Sequence, residues 1–502
     1  MTLIGLDIGT TGCKAHVFSE SLKLQASVSR EYSVEIPHPQ WAEQDAEKVW
    51  VLAKECLRES VAKAGVADSV KAISLSVQGE AVAPVDASGK ALRPMILGMD
   101  TRTNDQNRVL RETFATGELF NHTGMPVHTS NTLPKLMWLK EHEPQIWKKA
   151  HKFLLYEDFI LNKLTGTPVI SKCLASRTQV YDLKNEQWSE KILNFLELDK
   201  SRLADDLQSG TSIGAMKPEL AEELGFKASP IVGVGGHDQA CGALGAGLTK
   251  PGLAMVSTGT AEVVEVSMDS PHLNGSLYHG NMSVYLHTSP GLYVVMTLNQ
   301  SGGFVLRWFR DNFCQYEQEI AEKQGGDAYD LVLKNASAEP SPVMLLPHLA
   351  GSGTPIFDTL SKGAVVGLTF ATTKTDLAKA ILDGLTMELR LNLEILKEGG
   401  IEINELRAIG GGAKSALWLQ LKADITGIPV SAPEVTEAAG MGAAILAGVA
   451  AGVFSDAASA IDSHLKIKKI YSPDPGIKAL YDKRYELYKK FYPAVKEINH
   501  IL

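Results

Sequence analysis

Two turns rich in glycine and threonine constrain this chain more than any other feature. Asp7-Ile8-Gly9-Thr10-Thr11-Gly12 joins apolar strands at 3–7 and 14–18, and Ser257-Thr258-Gly259-Thr260 joins strands at 254–257 and 261–266. Glycine lets such a turn close tightly, so that its N–H groups converge on phosphate oxygens while threonine hydroxyls add further donors. A single turn of this kind also suits a plain hairpin. Two in matching strand–turn–strand settings predict loops that close on one polyphosphate from opposite halves of the protein.

A chain of 502 residues exceeds what one hydrophobic core ordinarily supports, so two domains with a cleft between them are expected. The first half reads as strands 3–7, 14–18 and 24–32, a helix over 45–64 with Val49, Leu52, Ala53, Cys56 and Val61 on one face, and a strand 70–77. Part of this pattern returns later: strands at 231–234, 254–257 and 261–266, further strands within 275–298, and helices 377–397 and 417–426 around a strand at 408–409. Duplication of one scaffold places the domains at 1–245 and 246–502. Residues 438–454 carry no charge over 17 positions, but the run is short and built of Ala and Gly, which predicts a buried helix approached closely by another backbone. The tail 471–502 reads as a charged helix on which Tyr481, Tyr485, Tyr488 and Phe491 form a packing stripe.

A net charge of −9 without any basic block argues against nucleic acid as a partner. Five scattered cysteines with no C-x-x-C pair suggest neither a zinc site nor a disulfide framework and fit a reducing cytoplasm. The opening MTLIGLDIGTTG lacks the pattern of a secretion signal and reads as a first strand.

Several residues carry the chemistry of phosphoryl transfer. Asp7, ending the first strand, is the candidate ligand for Mg²⁺, with Gly9, Thr10 and Thr11 as candidate phosphate donors; Lys14 follows the turn. Gly410-Gly411-Gly412-Ala413-Lys414-Ser415 follows a short strand and opens a helix, where missing side chains allow flat approach of a ring or phosphate. Gly235-Gly236-His237-Asp238-Gln239 follows another apolar strand. Transfer to a hydroxyl needs one carboxylate to take its proton, and Asp238 is the natural candidate, with His237 orienting it or simply packing.

Taken together these motifs resemble the FGGY carbohydrate kinase family, over nearly the whole chain and in the right order. One family signature is met by Ser130, Thr132, Lys135, Leu136, Trp138, Leu139, Lys140, Glu141 and His142; the other by Gly363, Val365, Gly367, Leu368, Asp376, Leu377, Ala380, Ile381, Leu382 and Asp383. Most of these residues are expected to mark packing rather than catalysis. The resemblance implies an α/β, actin-like ATPase (ribonuclease H-like) fold of two duplicated domains around a central cleft, with ATP and Mg²⁺ as cofactors. It implies Lys14 in the first phosphate loop, Gly259 and Thr260 in the second, Gly302 and Gly303 near phosphate, and Gly412 and Ala413 at the adenosine.

For the acceptor, the resemblance points to Gln78, Gly79, Glu80, Asp100, Arg102, Asp238 and Gln239, with Glu157 and Asp158 nearby. Xylulose and gluconate kinases usually show Gln-Met-His where this chain has Gln78-Gly79-Glu80, whereas glycerol kinases show Gln-Arg-Glu. Gly98 stands where a glycerol site has a Trp, and Ser130 where it has a Tyr, so a roomier site is expected. A pentulose such as xylulose is the first expectation; a polyol, a tetrose or a sugar acid of the glycerol, erythritol or gluconate type is the alternative. The expected partners are a small-molecule sugar and a second copy in a homodimer, with no membrane. Two rivals are an actin-like ATPase acting as chaperone or filament subunit and a pseudokinase that senses sugar. The two signatures speak against the first, and intact Asp7, Asp238 and phosphate loops against the second.

Overall fold

The sequence TLIGLDI at the N-terminus alternates nothing, because the strand it forms is covered on both faces: six of its residues are buried. In the computed structural model, which describes residues 1–502, this strand is β1 (Thr2–Ile8). It pairs antiparallel with β2 (Gly12–Ser19), which pairs antiparallel with β3 (Leu24–Glu31). Helix α1 (Ala46–Ala64) starts at the Asp45 cap, whose carboxylate accepts from the amides of Glu47 and Lys48, and it ends at the left-handed Gly65. The chain returns through β4 (Val70–Val77), parallel to β1. Strands β5 (Ser212–Ala215), β6 (Ile231–Gly233) and β7 (Gly236–His237) complete the sheet, in the order β5-β6-β4-β1-β2-β3 with β7 beside β4.

The second sheet repeats the plan. Its strands are β8 (Leu253–Thr258), β9 (Glu262–Met268), β10 (Ser283–Leu286), β11 (Tyr293–Asn299), β12 (Glu405–Gly410), β13 (Val430–Pro433) and β14 (Ile467–Tyr471), ordered β10-β11-β9-β8-β12-β13-β14. The hairpin β8–β9 stands where β1–β2 stands in the first sheet, and β12 lies parallel to β8 as β4 does to β1. This is the expected duplicated, actin-like ATPase arrangement.

Helix α2 (Asp238–Gly245) leaves the first sheet toward the second, and α3 (Gly303–Phe313), α4 (Lys374–Glu398) and α5 (Ala416–Thr426) surround the second sheet. The uncharged run forms α6 (Ala438–Ala450), which belongs to the later half of the chain yet packs on β1, β4 and α2. Small side chains make that contact possible. A Cβ on Gly5 would lie 1.9 Å from the Gly440 carbonyl oxygen, and one on Gly442 would lie 1.9 Å from that of Cys241.

The C-terminal stripe is a packing stripe, with Tyr481, Tyr485, Tyr488 and Phe491 all buried. The tail is not one helix: β14 comes first, then α7 (Pro475–Tyr488) and α8 (Phe491–Ile501), broken near Lys489 and Lys490. The region 275–298 likewise opens with a short helix, Gly275–His279, before its strands, because Asn274 caps it through the Leu277 amide. All five cysteines are buried and unbonded. No helix is long and apolar enough to cross a membrane.

Candidate active site

The first loop is the β1–β2 turn, closed by the Gly9 amide on the Gly12 carbonyl at 2.9 Å. It is held from behind by buried polar groups. The Gly9 carbonyl accepts from Tyr32 Oη at 2.7 Å and from Gln78 Nε2 at 3.1 Å, and the Thr10 carbonyl accepts from Gln44 Nε2 at 3.0 Å. Thr10 Oγ1 donates to Gln78 Oε1 at 3.3 Å, while Tyr156 Oη and Gln78 Nε2 both donate to Gln44 Oε1. Gln78 thus belongs to the scaffold of this turn. Thr11 at the tip is exposed, and Lys14 reaches Glu437 at 3.3 Å across the two halves.

The second loop, at the β8–β9 turn, stands on a buried triad. Lys422 Nζ on α5 donates to Thr258 Oγ1 at 2.7 Å and to Glu262 Oε2 at 2.5 Å, and Thr258 Oγ1 donates to the same carboxylate at 2.7 Å. Nothing in the sequence pattern singled out Lys422 or Glu262. Their types are those of surface residues, and only the fold buries them together. The Gly302 amide closes on the Thr260 carbonyl at 2.8 Å.

From these pieces opens a cavity of about 850 Å³, lined by Thr258, Gly259, Thr260, Gly303, Gly411 and Gly412 among others. Lys414 of the glycine-rich loop 410–415 lines it too, and Arg307 and Lys334, which belong to no motif, add further cations. Gly412 packs on Thr258, where a Cβ would come within 2.7 Å of the Thr258 Cβ. Ala413, in the tight turn Gly411–Lys414, leans toward the main hydrophobic core.

A second cavity of about 220 Å³ lies between the halves and is lined by Asp7, Asp238, Gln239, Ser257, Gly410 and Glu437 among others. Asp7 accepts from Ser76 Oγ at 2.7 Å, and burial pushes its carboxyl up. Asp238 sits at the first turn of α2, where the Gln239 amide donates to it at 2.7 Å. Burial first, and then the charge of Asp7, push its carboxyl up to about 7. A carboxylate poised there is suited to take a proton near neutral pH. His237 Nε2 lies 3.1 Å from Asp238 Oδ1, and burial, followed by the charge of Arg177, holds this imidazole well below its usual range.

Of the remaining acceptor-site candidates, Glu80 is the one whose charge reaches Asp238, and it anchors a wall beside the cavity; Asp100, Arg102, Glu157 and Asp158 lie outside the cavity lining. Glu80 is buried, with φ of 59°, and Arg177 Nε donates to its Oε1 at 2.6 Å. Arg177 caps the short helix Lys172–Ser176 and lies 4.4 Å over the Tyr285 ring on β10, so the second half completes this wall. Tyr285 Oη in turn donates to Glu265. Gly79 packs on His237 and Arg177. Lys135, from the first signature, donates to the Glu80 carbonyl at 3.0 Å and supports this loop from below. Asp100 and Arg102 bind one another: Arg102 Nη2 meets Asp100 Oδ2 and Glu43 Oε1 at 2.7 Å each, and its guanidinium lies over Trp41 and Trp138. Glu157 accepts from Ser171, and Asp158 from the Leu155 amide; both are buried supports of the fold. Arg177 and Tyr285 were invisible in sequence because neither lies in a glycine-rich or repeated motif.

Families, full-length relatives and solved structures bear on this geometry. The N-terminal domain of the FGGY family of carbohydrate kinases matches residues 2–245, and its C-terminal domain matches residues 254–451. A xylulose kinase of Staphylococcus epidermidis is 30% identical over 501 residues, covering 99% of this chain and 97% of the relative. The crystal structure of a xyloylose kinase from Brucella ovis superposes with a TM-score of 0.88 at 28% identity, covering 99% of this chain and 100% of the other. A gluconate kinase structure from Lactobacillus acidophilus has the same fold, with a TM-score of 0.88 at 24% identity and 98% of each chain covered. By both domain matches, the chain belongs to the FGGY family of carbohydrate kinases, enzymes that transfer a phosphoryl group to a sugar hydroxyl.

Proposed function

We propose that this protein phosphorylates a hydroxyl of a pentulose such as xylulose, with ATP as donor and Asp238 as the base. The observation that carries the reading is the position of Asp238, which shares one cavity with Asp7 and with Ser257 and Gly410 of the second phosphate-binding half. Names of relatives supply the sugar: full-length relatives at 30% identity are xylulose kinases. The lobes 1–245 and 246–502 are taken as the functional halves, the first carrying acceptor and base and the second most of the nucleotide site.

In this reading Gly9, Thr10, Thr11 and Lys14 face the phosphates from one side and Gly259, Thr260 and Gly303 from the other, with the nucleotide base and ribose toward Gly412. Asp238 accepts the proton of the acceptor hydroxyl as its oxygen forms a bond to the γ-phosphorus, and the bond from that phosphorus to the β–γ bridging oxygen breaks to release ADP. Arg177, through Glu80, fixes the acceptor wall against which the sugar is oriented. The donor set suits Mg²⁺, which takes one or two carboxylates and completes its shell with phosphate oxygens and water. Asp7 would hold it, since one of its oxygens is bonded to Ser76 while the side chain lines the cavity. When bound, the ion offsets charge on the transferred phosphoryl group. Exposed Val365, Val366, Leu368 and Phe370 support a homodimer, and a cytoplasmic location belongs to the same proposal.

A coupled assay of ADP release across pentuloses, tetruloses, hexuloses, polyols and aldonates tests the reading. A pentulose is expected to give the highest kcat/KM. ADP release unaffected by every sugar sinks it.

A further inference from the structure

Every cation around the acceptor wall is already committed. Arg177 directs Nε and Nη2 at the same oxygen of Glu80, at 2.6 and 2.5 Å, while its Nη1 faces the Met296 sulfur at 3.7 Å. Lys135 spends its ammonium on the carbonyls of Glu80 and Ser130. Arg102 is neutralised by both Asp100 and Glu43. The His237 ring, buried and beside Arg177, stays neutral. Against these stand the acids Glu80, Asp238, Glu265 and Asp7, of which Glu80 and Asp7 each raise the proton affinity of Asp238 through their charge.

Because both Arg177 nitrogens bind Oε1, Glu80 Oε2 is left without a protein partner. It lies 3.6 Å from where a Cβ on Gly98 would stand, an ordinary contact distance, so glycine at 98 leaves that side of the carboxylate oxygen without a side chain over it. Such an oxygen accepts hydrogen bonds from hydroxyls and repels another carboxylate.

We infer that the Glu80–Arg177 pair is a specificity device that admits uncharged polyhydroxy acceptors, ketoses or polyols, and rejects sugar acids. This rests on the acceptor site of the proposed function and deepens it. The pair also hides a latent anion site: without the charge of Glu80, the Arg177 guanidinium would be a bidentate partner for a carboxylate.

The test compares kcat/KM for D-xylulose and xylitol with that for D-xylonate and D-gluconate in the wild-type protein, in Glu80→Gln and in Glu80→Gln/Arg177→Met. Wild type is expected to favour the better neutral acceptor over either acid by at least ~100-fold. Glu80→Gln is expected to raise the acid-to-neutral ratio at least ~10-fold, and adding Arg177→Met to cancel that rise. Thermal melting and ATP binding show whether the variants are folded. A wild-type protein that uses an aldonate as well as its best neutral acceptor overturns the inference, as does an unchanged ratio in folded Glu80→Gln. If the variants do not fold, the wild-type ratio decides alone. Preference for an acid overturns this inference while leaving the kinase reading intact, whereas ATP hydrolysis with no phosphorylated acceptor overturns both.

Discussion

Replacing Asp238 by Asn removes a proton acceptor and, at neutral pH, a partly buried negative charge, and the two losses have opposite signs. General-base catalysis contributes ~10²–10⁴ in rate, so turnover is expected to fall about 1,000-fold, or roughly 4 kcal/mol of barrier. The Asn amide keeps the shape of the site, and nucleotide affinity should change little. Stability moves the other way. Burial and Asp7 raise this carboxyl from 3.8 to about 7 in the folded protein, which corresponds to roughly 4 kcal/mol at 1.36 kcal/mol per pH unit. The side chain is 28% exposed, and solvent screening reduces the expected effect to about 2 kcal/mol.

The sign follows from proton binding. Between pH 4 and 7 the unfolded chain has released this proton while the folded protein still holds it, so the wild-type protein loses stability as pH rises through that window. Above pH 7 the penalty is complete. Asp238→Asn lacks this ionisation, so its denaturation midpoint should match wild type near pH 4 and exceed it at pH 8. In the wild-type protein kcat/KM should fall about tenfold per unit below a midpoint near pH 7, because only the ionised acid accepts a proton. Chemical denaturation across pH 4–8, together with initial rates over the same range where the protein stays folded, reads both effects. A variant with turnover within tenfold of wild type, or a flat wild-type rate profile from pH 6 to 8, refutes the assignment of Asp238 as base.

Three further outcomes are expected. Lys422→Met leaves Glu262 buried without its cation and Thr258 without its donor; a loss of about 3–5 kcal/mol in urea denaturation and a raised KM for ATP should follow. Gly5→Ala drives a methyl group to 1.9 Å from the Gly440 carbonyl oxygen, so β1 and α6 must separate, at a cost of about 3 kcal/mol seen as a lowered melting temperature. Gln78→Leu removes three hydrogen bonds that hold the first phosphate loop and should lower kcat/KM for ATP at least ~10-fold while sparing the secondary structure seen by circular dichroism.

Local patterns in the chain disclosed the parts of the fold whose causes are local. The β1–β2–β3 meander, the helix over 45–64 and the strand 70–77 follow from short apolar runs, tight turns and a helical stripe, and each stands where those signals put it. The small-residue run at 438–454 announced close backbone contact, although not that α6 would seat on the sheet of the other half; nothing within the helix encodes its partner. The break in the tail helix falls at Lys489 and Lys490, between Tyr488 and Phe491, whose stripe reads as one continuous helix. In the candidate site, the glycine turns and Asp238 can be singled out in sequence because each lies in a contiguous motif. The resemblance implies Gln78 at the acceptor, and the fold adds that its amide spans Gly9, Thr10 and Gln44. Arg177, Tyr285, Lys422 and Glu262 became visible only after strands and helices far apart in sequence met, since an isolated charged residue reads as surface.

Product analysis by ³¹P NMR after incubating the wild-type protein with MgATP and D-xylulose tests the central claim most directly. A sugar phosphate ester accumulating in equal amount with ADP, and absent with Asp238→Asn, is the predicted result. Inorganic phosphate appearing with ADP at the same rate whether or not sugar is present would contradict it.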